Sequence, residues 1–572
     1  MPIVWLKTSW PPPWRRRGSV PSGPLARLVR HFLQRLIRGG SADAEFEMGI
    51  GLLLGLLAAP GAFQSFLLLD KYSTFLDWYR RHFHVDYYTS SASDKYLFLS
   101  LAMAITGIVT ALKWDRILPD SQDYLNLAPL PVRARTVLLA NAAAIGFAVL
   151  VFAVDVNAAS MVFFPLFVTA AAQVGPAEFL RFAAIHGLCL MLASLFTFCA
   201  VFAALGTLAA VLPRQVFRAW SSWFRGAILV GFLMLLLSTF AGLPMVERLV
   251  RREWLPSFWY LGLYQVLQHR PTPQLAAAAH RALTGFGAVF VWMVLAYAVS
   301  YRRRYAGVLE GSRRRSQQHL FAAVFALLDL FAERARGFQR AGYRFVVRAL
   351  LRNEGHRLCV VVAIGLGWLL ALQTGSPLEG SLIAAYLLVL GLRLAFELPA
   401  AVSANWIFRA SLDHRDHESH AMARRVMLSF LVPLVVLPSL AWAWWRLGWV
   451  AGVLHALYVL ALAMCLVEIL LAGYRKIPLT CPMPGFRDNL PLVCVLQILG
   501  FEAFTHLGAA LEQWMIEQCA RFLLVPAALL AAWQWNRSRL REAREAGELE
   551  TGLTFESVPP PVMERLKLSD AD

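Results

Sequence analysis

Charged residues are scarce in this chain, and their scarcity limits the classes of protein to which it can belong. They make up 16% of the 572 residues, whereas a soluble domain carries about 25%. Hydrophobic residues make up 58%. No polar stretch between the apolar segments is long enough to form a soluble domain. These features exclude a chain of several soluble domains, although its length alone would permit one.

Sequence motifs for catalysis and metal binding are also missing. The seven cysteines show no CxxC spacing, and six of them fall in apolar segments, so we expect neither a disulfide framework nor a zinc site. The P-loop GxxxxGK[ST], HExxH and GxSxG are absent. We therefore predict no catalytic residue, metal ligand or cofactor in this chain, and no enzyme activity of its own. The first 45 residues lack the apolar core of a cleavable signal peptide, so we expect the first span to act as an uncleaved insertion signal.

Apolar segments long enough to cross a bilayer are abundant. A hydrocarbon core of about 30 Å needs about 20 helical residues, and tilt absorbs a few. Because every backbone amide in lipid must be paired, we predict an all-α, polytopic transmembrane helix bundle of about twelve spans. The predicted spans are Met48–Leu69, Tyr96–Leu112, Thr136–Val154, His186–Leu212, Ala227–Leu243, Gly285–Ser300, Leu358–Gln373, Gly380–Leu398, Val426–Trp445, Trp449–Leu471, Leu490–Leu507 and Cys519–Trp535. Met161–Ala172 is apolar but short and contains Pro165, which indicates a re-entrant or interfacial piece.

The basic residues indicate the orientation of these spans. The net charge is +18, and most Lys and Arg lie in short loops beside apolar segments. This placement is typical of cytoplasmic loops that contact anionic lipid, and it argues against nucleic acid as a partner. We predict cytoplasmic N- and C-termini and a location in the cytoplasmic (plasma or inner) membrane. The predicted outside loops 70–95 and 244–284 also hold arginines, but the rule is weaker in long loops.

The chain reads as two halves, each preceded by a basic amphipathic segment. In 24–38, Leu28, Val29 and Phe32 recur at helical spacing opposite arginines, and Phe345 and Val346 do so in the later segment. In each half, two spans precede a loop that contains Leu-Pro. The predicted units are a basic tail with an interfacial helix (1–47), a first six-span half (48–300), a basic linker with an amphipathic helix (301–357), a second six-span half (358–535) and a cytoplasmic tail (536–572).

The first cytoplasmic loop, residues 113–135, carries the most informative motif. It reads KWDRILPDSQDYLNLAPLPVRAR: an acidic segment suited to a helix start, then prolines that end it, then two arginines. This loop resembles the cytoplasmic loop of ABC-2 type transporter permeases, where an acidic segment runs into a Leu-Pro-x-x-Arg turn before the third span. The outside segment Trp254–Val266 is similarly placed to that family's re-entrant hairpin, before the sixth span.

The resemblance implies the membrane-spanning subunit of an ABC exporter with two fused permease-like halves. ATP and Mg²⁺ would be bound by separate cytoplasmic ABC ATPase subunits, and loop 113–135 would dock into a groove of the ATPase. The ATPase-coupling residues expected from it are Asp115, Asp120, Asp123, Leu127, Leu130, Pro131, Arg133 and Arg135. The second loop, which begins at Glu397, departs from this motif. The spans show no obvious charged pocket, which fits an amphipathic or lipid-like cargo.

Two other functions stay open from the sequence. Ionisable residues in lipid are costly and mark candidate transport sites. Those in or beside the predicted spans are Arg393, His455, Glu468, Glu502 and His506. A proton relay through Glu468, Glu502 and His506 would make the protein an ion-coupled secondary transporter. The histidines of residues 413–420 would instead suit a membrane-embedded enzyme that acts on lipid-linked substrates.

Overall fold

The structure is a computed structural model, and its described part is helical. It describes residues 23–38, 50–69, 71–72, 87–117, 132–241, 252–270, 272–309, 322–333, 337–400, 405, 419–472, 474, 476–481, 490–527, 530, 534 and 538. These residues contain helices, turns and one isolated bridge, and no β-strand element. The all-α prediction is therefore confirmed for this part of the chain.

Seventeen α-helices of eight residues or more, in addition to the short helix Tyr87–Ser90, define the architecture of the described ranges. In the first part of the chain they are α1 (Pro24–Arg38), α2 (Ile50–Leu67), α3 (Ala92–Ile117), α4 (Ala134–Ala172), α5 (Pro176–Val211), α6 (Arg214–Ala241), α7 (Pro256–Leu267) and α8 (Pro273–Leu309). In the second part they are α9 (Ala322–Asp329), α10 (Gly337–Arg352), α11 (Glu354–Thr374), α12 (Pro377–Glu397), α13 (Ser419–Leu431), α14 (Leu437–Leu447), α15 (Trp449–Leu470), α16 (Leu490–Glu502) and α17 (Gly508–Ile516). Two π-helical turns join helices end to end: Val432–Val436 between α13 and α14, and Ala503–Leu507 between α16 and α17.

Nine helical segments of the described chain are long and apolar enough to cross a membrane. They are Ala92–Trp114, Arg135–Ala172, Pro176–Val211, Trp220–Ser238, Pro273–Ser300, Glu354–Thr374, Pro377–Glu397, Ser419–Leu447 and Trp449–Leu470. Each overlaps a predicted span. Such a set identifies a polytopic membrane protein.

One local prediction is wrong: Met161–Ala172 is not a separate re-entrant piece. It continues α4, a single helix of 39 residues that includes Pro165. The proline removes one backbone donor within this helix, and the helix nevertheless continues through it to Ala172. The helix that begins at Leu490 is also longer than predicted, because the π turn carries it through to Ile516.

The first amphipathic segment forms the predicted helix α1 and packs on α4. Phe32 is fully buried and contacts Val137, Ala140 and Ala144 at the start of α4. Arg27 and Arg30 are exposed on the other face. The apolar stripe of α1 therefore covers the beginning of the helix that follows loop 113–135.

The second amphipathic segment forms α10, which packs on α13 in the same manner. Its buried face differs from the predicted one: Tyr343, Val346 and Leu350 are buried, whereas Phe345 is 39% exposed. The buried residues share one apolar cluster with Met422 of α13, and an added Cβ atom at Gly342 would lie 2.2 Å from the Met422 sulfur. The buried face of α10 is therefore the face that packs on α13.

The helix α7 lies inside the first part of the bundle. Its face containing Tyr260, Leu261, Leu263 and Tyr264 is buried against α3, α5 and α8. His269, with a φ of 59°, lies in the turn that leads from α7 toward α8. The segment predicted from Trp254 to Val266 is thus a buried helix packed against the next long helix.

The two parts of the chain meet where α6 packs on α11. Gly226 faces Val361, and Gly365 faces Val230, so the two backbones come close. The start of α11 lies beside the end of α12, because His356 Nε2 is 2.8 Å from the Leu398 carbonyl oxygen. We call the end of the bundle that contains the end of α3, the start of α4, the start of α11 and the end of α12 the loop end, and the opposite one the far end.

Candidate functional site

The helix ends that flank loop 113–135 are held together by polar contacts at the loop end. The Asn141 side-chain amide donates to the Ile117 carbonyl oxygen at 3.5 Å and to the Tyr297 hydroxyl at 3.0 Å. Tyr297 in turn donates to the Leu138 carbonyl oxygen at 3.2 Å. Trp114 is fully buried, with its ring 5.1 Å from that of Phe202. The last turn of α3, the first turns of α4 and helix α8 therefore form one connected unit.

Arg225 extends this unit into the second part of the chain. Its side chain is buried and donates to two carbonyl oxygens near the end of α3, those of Ala111 at 3.0 Å and Leu112 at 3.1 Å. The remaining guanidinium nitrogen, Nη1, donates to the Glu354 carboxylate at 3.0 Å. Ser221 donates to the same carboxylate oxygen at 2.7 Å. Glu354 is the first residue of α11, so the end of α3 is linked across α6 to α11.

The predicted coupling residues are only partly within the described chain. Arg133 precedes the first residue of α4 in an extended conformation, and Arg135 lies in its first turn; both side chains are exposed. Asp115 belongs to the last turn of α3, and its side chain is not described. Asp120, Asp123, Leu127, Leu130 and Pro131 lie outside the described residues.

A second polar cluster at the loop end explains the proline-containing segment that begins at Lys476. Glu397 pairs with Arg393 and, at 3.4 Å, with Lys476. The backbone of Leu479 donates to the Phe396 carbonyl oxygen and accepts from the Ala400 amide, both at 2.9 Å. Leu479 has a φ of 70°, so this pairing fixes an uncommon backbone conformation. The segment after α15 is thereby attached to the start of the second loop.

Glu468, Glu502 and His506 do not come together as one relay. Glu468 pairs with Arg424 at 3.0 Å and His420 at 3.3 Å, near the start of α13 at the loop end. Glu502 and His506 pair with each other at 3.1 Å, and His506 lies 3.3 Å from Glu379 at the start of α12. The start of α12 is at the far end. The three residues therefore form two separate ion-pair groups.

A buried Ser-His-Glu chain lies at the far end of the second part. His455 Nδ1 is 2.6 Å from the Glu512 carboxyl group, and His455 Nε2 is 3.0 Å from the Ser381 hydroxyl. All three residues are fully buried. The sequence predicts only His455 as a candidate, because its partners lie 74 and 57 residues away and Glu512 falls between the predicted spans that end at Leu507 and begin at Cys519. No sequence spacing could have linked them.

A second missed cluster lies at the far end of the first part, around Asp94 and Lys95. Asp94 pairs with Lys71 at 2.7 Å and accepts from the Tyr72 hydroxyl. Burial, together with the Asp94 charge, raises the pKa of Tyr72 above its ordinary value. Lys95 is fully buried, donates to the Tyr88 carbonyl oxygen at 2.8 Å and lies 5.0 Å from the centre of the Tyr264 ring. These contacts attach α7 to the start of α3.

A metal site finds no support in the described residues. They contain no group of three His, Cys, Asp or Glu side chains that could hold an ion. His420 pairs with Glu468, whereas His414 and His417 lie outside the described residues.

Comparison of the chain with protein-family models, with curated proteins and with solved structures finds no match. The function of this chain must therefore be inferred from its own residues and their contacts.

Proposed function

We propose that this protein is the membrane-spanning permease subunit of an ATP-driven ABC-type exporter, with two permease-like halves fused in one chain. The observation that carries the proposal is a placement repeated in both parts. In each, an amphipathic helix packs on the helix that follows the loop after the second long helix: α1 on α4, and α10 on α13. The buried helix α7 directly before α8 adds to the likeness with ABC-2 permeases. This proposal also includes the equivalence of the two parts as permease-like halves and the cytoplasmic location of both termini.

In this proposal loop 113–135 acts as a mechanical lever, with ATP and Mg²⁺ on separate cytoplasmic ABC ATPase subunits. Asp115, Asp120 and Asp123 would pair with basic residues of the ATPase, and Leu127, Leu130 and Pro131 would fill an apolar groove. Arg133 and Arg135 would anchor α4 at the lipid head groups. Closure of the ATPases would displace the loop and, with it, the connected ends of α3 and α4.

The contacts of Arg225 support transmission of this movement to the second part. A displacement of the end of α3 acts on the carbonyl oxygens of Ala111 and Leu112 and thus on the Arg225 guanidinium. The guanidinium is also bonded to Glu354 at the start of α11. Because a buried, hydrogen-bonded charge is costly to leave without its partners, the three helices are expected to move together.

Purification of the tagged protein from its native cells in mild detergent, followed by mass spectrometry, tests this function. We expect a stoichiometric ABC ATPase in the wild-type sample. The double variant Leu130→Glu, Pro131→Glu should lose it, because two charges cannot fill an apolar groove. The matched control, Leu566→Glu with Leu568→Glu in the predicted cytoplasmic tail, should retain it.

Two outcomes would count against the proposal at different levels. A monodisperse wild-type sample without any ATPase would overturn the permease function. An ATPase that stays bound to the loop variant would leave the function standing but remove loop 113–135 as its docking element.

A further inference from the structure

The Ser381–His455–Glu512 chain combines a precise geometry with complete burial. The three residues come from α12, α15 and α17, so the chain connects three helices at one level of the far end. Both ring nitrogens of His455 have a partner. Glu512 has one carboxyl oxygen bonded to His455, whereas its other oxygen, Oε2, is buried without a hydrogen-bond partner.

The lack of a hydrogen-bond partner for Oε2 indicates that Glu512 is protonated. A carboxylate spreads its negative charge over both oxygens, and a buried charge without full hydrogen bonding is costly. A carboxylic acid can instead donate its O–H to His455 Nδ1, leaving Oε2 as a neutral carbonyl, which costs less when unpaired. His455 Nε2–H then donates to the Ser381 hydroxyl oxygen, and the whole chain is neutral.

Among the described residues, no second cation pairs with Glu512. The other charged or titratable side chains on the neighbouring helical elements have their own partners. Glu379 and Glu502 pair with His506, Arg521 donates to the Trp514 carbonyl oxygen and pairs with Glu517, and Tyr458 donates to the Gly508 carbonyl oxygen. Among the described residues, His455 is thus the titratable group that pairs with Glu512.

The helices that carry this chain have irregular points close to it. The π turn Ala503–Leu507 ends immediately before α17, and such turns often occur at functional positions. Gly448, with a φ of 91°, separates α14 from α15. An apolar recess of about 310 Å³ is lined by residues 447–451 with Leu454 and Ile516, about one turn from His455 and Glu512. The recess is therefore lined by residues of α15 and α17, the same helices that carry His455 and Glu512.

We infer that Ser381, His455 and Glu512 form a proton-binding site, in which Glu512 is held as the carboxylic acid and exchanges its proton with the solution through the recess at the far end. This inference does not depend on the ATPase-coupled function. The ligand is a proton alone, and no covalent step is involved.

Infrared difference spectroscopy of the purified protein in lipid nanodiscs tests the protonation state directly. At neutral pH, the wild-type spectrum minus that of Glu512→Gln should contain the positive carbonyl band of a carboxylic acid, because the substitution replaces the acid by an amide whose bands appear with the opposite sign. Glu502→Gln, which changes an exposed carboxylate, serves as the matched control and should remove carboxylate bands only. A Glu512→Gln difference that contains carboxylate bands and no acid band overturns the inference.

Transfer to heavy water tests proton exchange. The acid band should shift as the proton is replaced by deuterium while the protein remains folded. A band that stays unshifted for as long as the most protected backbone amides would identify a sealed structural contact and overturn the exchange part. Ser381→Ala, which keeps the His455–Glu512 pair, should retain the acid band and provides a second test if Glu512→Gln folds poorly.

Discussion

The Arg225 guanidinium lies 3.0 Å from the Glu354 carboxylate, and this ion pair joins the two parts of the chain at the loop end. Arg225 is 3% exposed, whereas Glu354 is 36% exposed. The pair therefore has one buried member, which is also bonded to the end of α3. Its geometry makes Arg225 the residue through which α3, α6 and α11 are connected.

Arg225→Ala should lower the free energy of unfolding by roughly 2–4 kcal/mol, since it removes several charged hydrogen bonds and leaves Glu354 without this partner. Glu354→Gln should cost less, about 1 kcal/mol, because the Gln side-chain oxygen can still accept from Arg225 and the two backbone acceptors of Arg225 remain. Thermal unfolding in nanodiscs measures both. The control Arg181→Ala, which breaks an exposed pair with Glu178, should change stability by about 0.5 kcal/mol or less. Equal effects of Arg225→Ala and Arg181→Ala would contradict the role of Arg225.

Gly262→Ala should destabilise the packing of α7 on α8. An added Cβ atom would lie 2.4 Å from the Leu275 carbonyl oxygen, and backbone atoms cannot yield cheaply. We expect a loss of about 1–3 kcal/mol. Gly287→Ala in α8 is the matched control, because nothing lies within 4 Å of its added atom. It should be neutral or stabilising, so a denaturation series in which both variants behave alike would refute the close contact.

Glu468→Gln and Glu502→Gln should have additive effects on stability, because the two residues belong to ion-pair groups at opposite ends of the bundle. Additivity within about 0.5 kcal/mol is expected for separated sites. Glu502→Gln and His506→Gln, whose side chains are 3.1 Å apart, provide the non-additive comparison. Double-mutant cycles measure both pairs. A coupling between Glu468 and Glu502 as large as that between Glu502 and His506 would restore the single relay.

Tyr343 should make stability fall at alkaline pH. Burial raises the pKa of Tyr343 to about 12, from an ordinary value of 10.0, and its hydroxyl donates to the Leu328 carbonyl oxygen at 2.7 Å. The unfolded chain therefore loses this proton first, so stability is unaffected below pH 10 and declines as the pH rises from about 10 to about 12. Tyr343→Phe should reduce that slope by up to one proton, measured from unfolding at a series of pH values. An unchanged slope would show that Tyr343 ionises alike in both states.

Most of the helical framework could be predicted from the sequence. Apolar length alone located the segments that became α3, α5, α11, α12 and α15, because lipid leaves the backbone few alternatives to a helix. Helical periodicity correctly placed Phe32 on the buried face of α1. The same reasoning misplaced Phe345, since the periodicity does not show which face of α10 packs on α13. The prediction also failed at Pro165, because a proline inside a long apolar helix does not have to end that helix.

The polar contacts were decided by tertiary structure. The sequence by itself determined that this protein is an apolar, basic, all-helical chain with long spans, because hydrophobicity and charge act on each segment locally. Only folding could place Ser381, His455 and Glu512 in one buried chain, connect Arg225 with Glu354, and separate Glu468 from His506. Each of these arrangements depends on which helices become neighbours and on how far each helix is shifted along its axis relative to the others. Packing between distant segments fixes that choice, and no local pattern contains it.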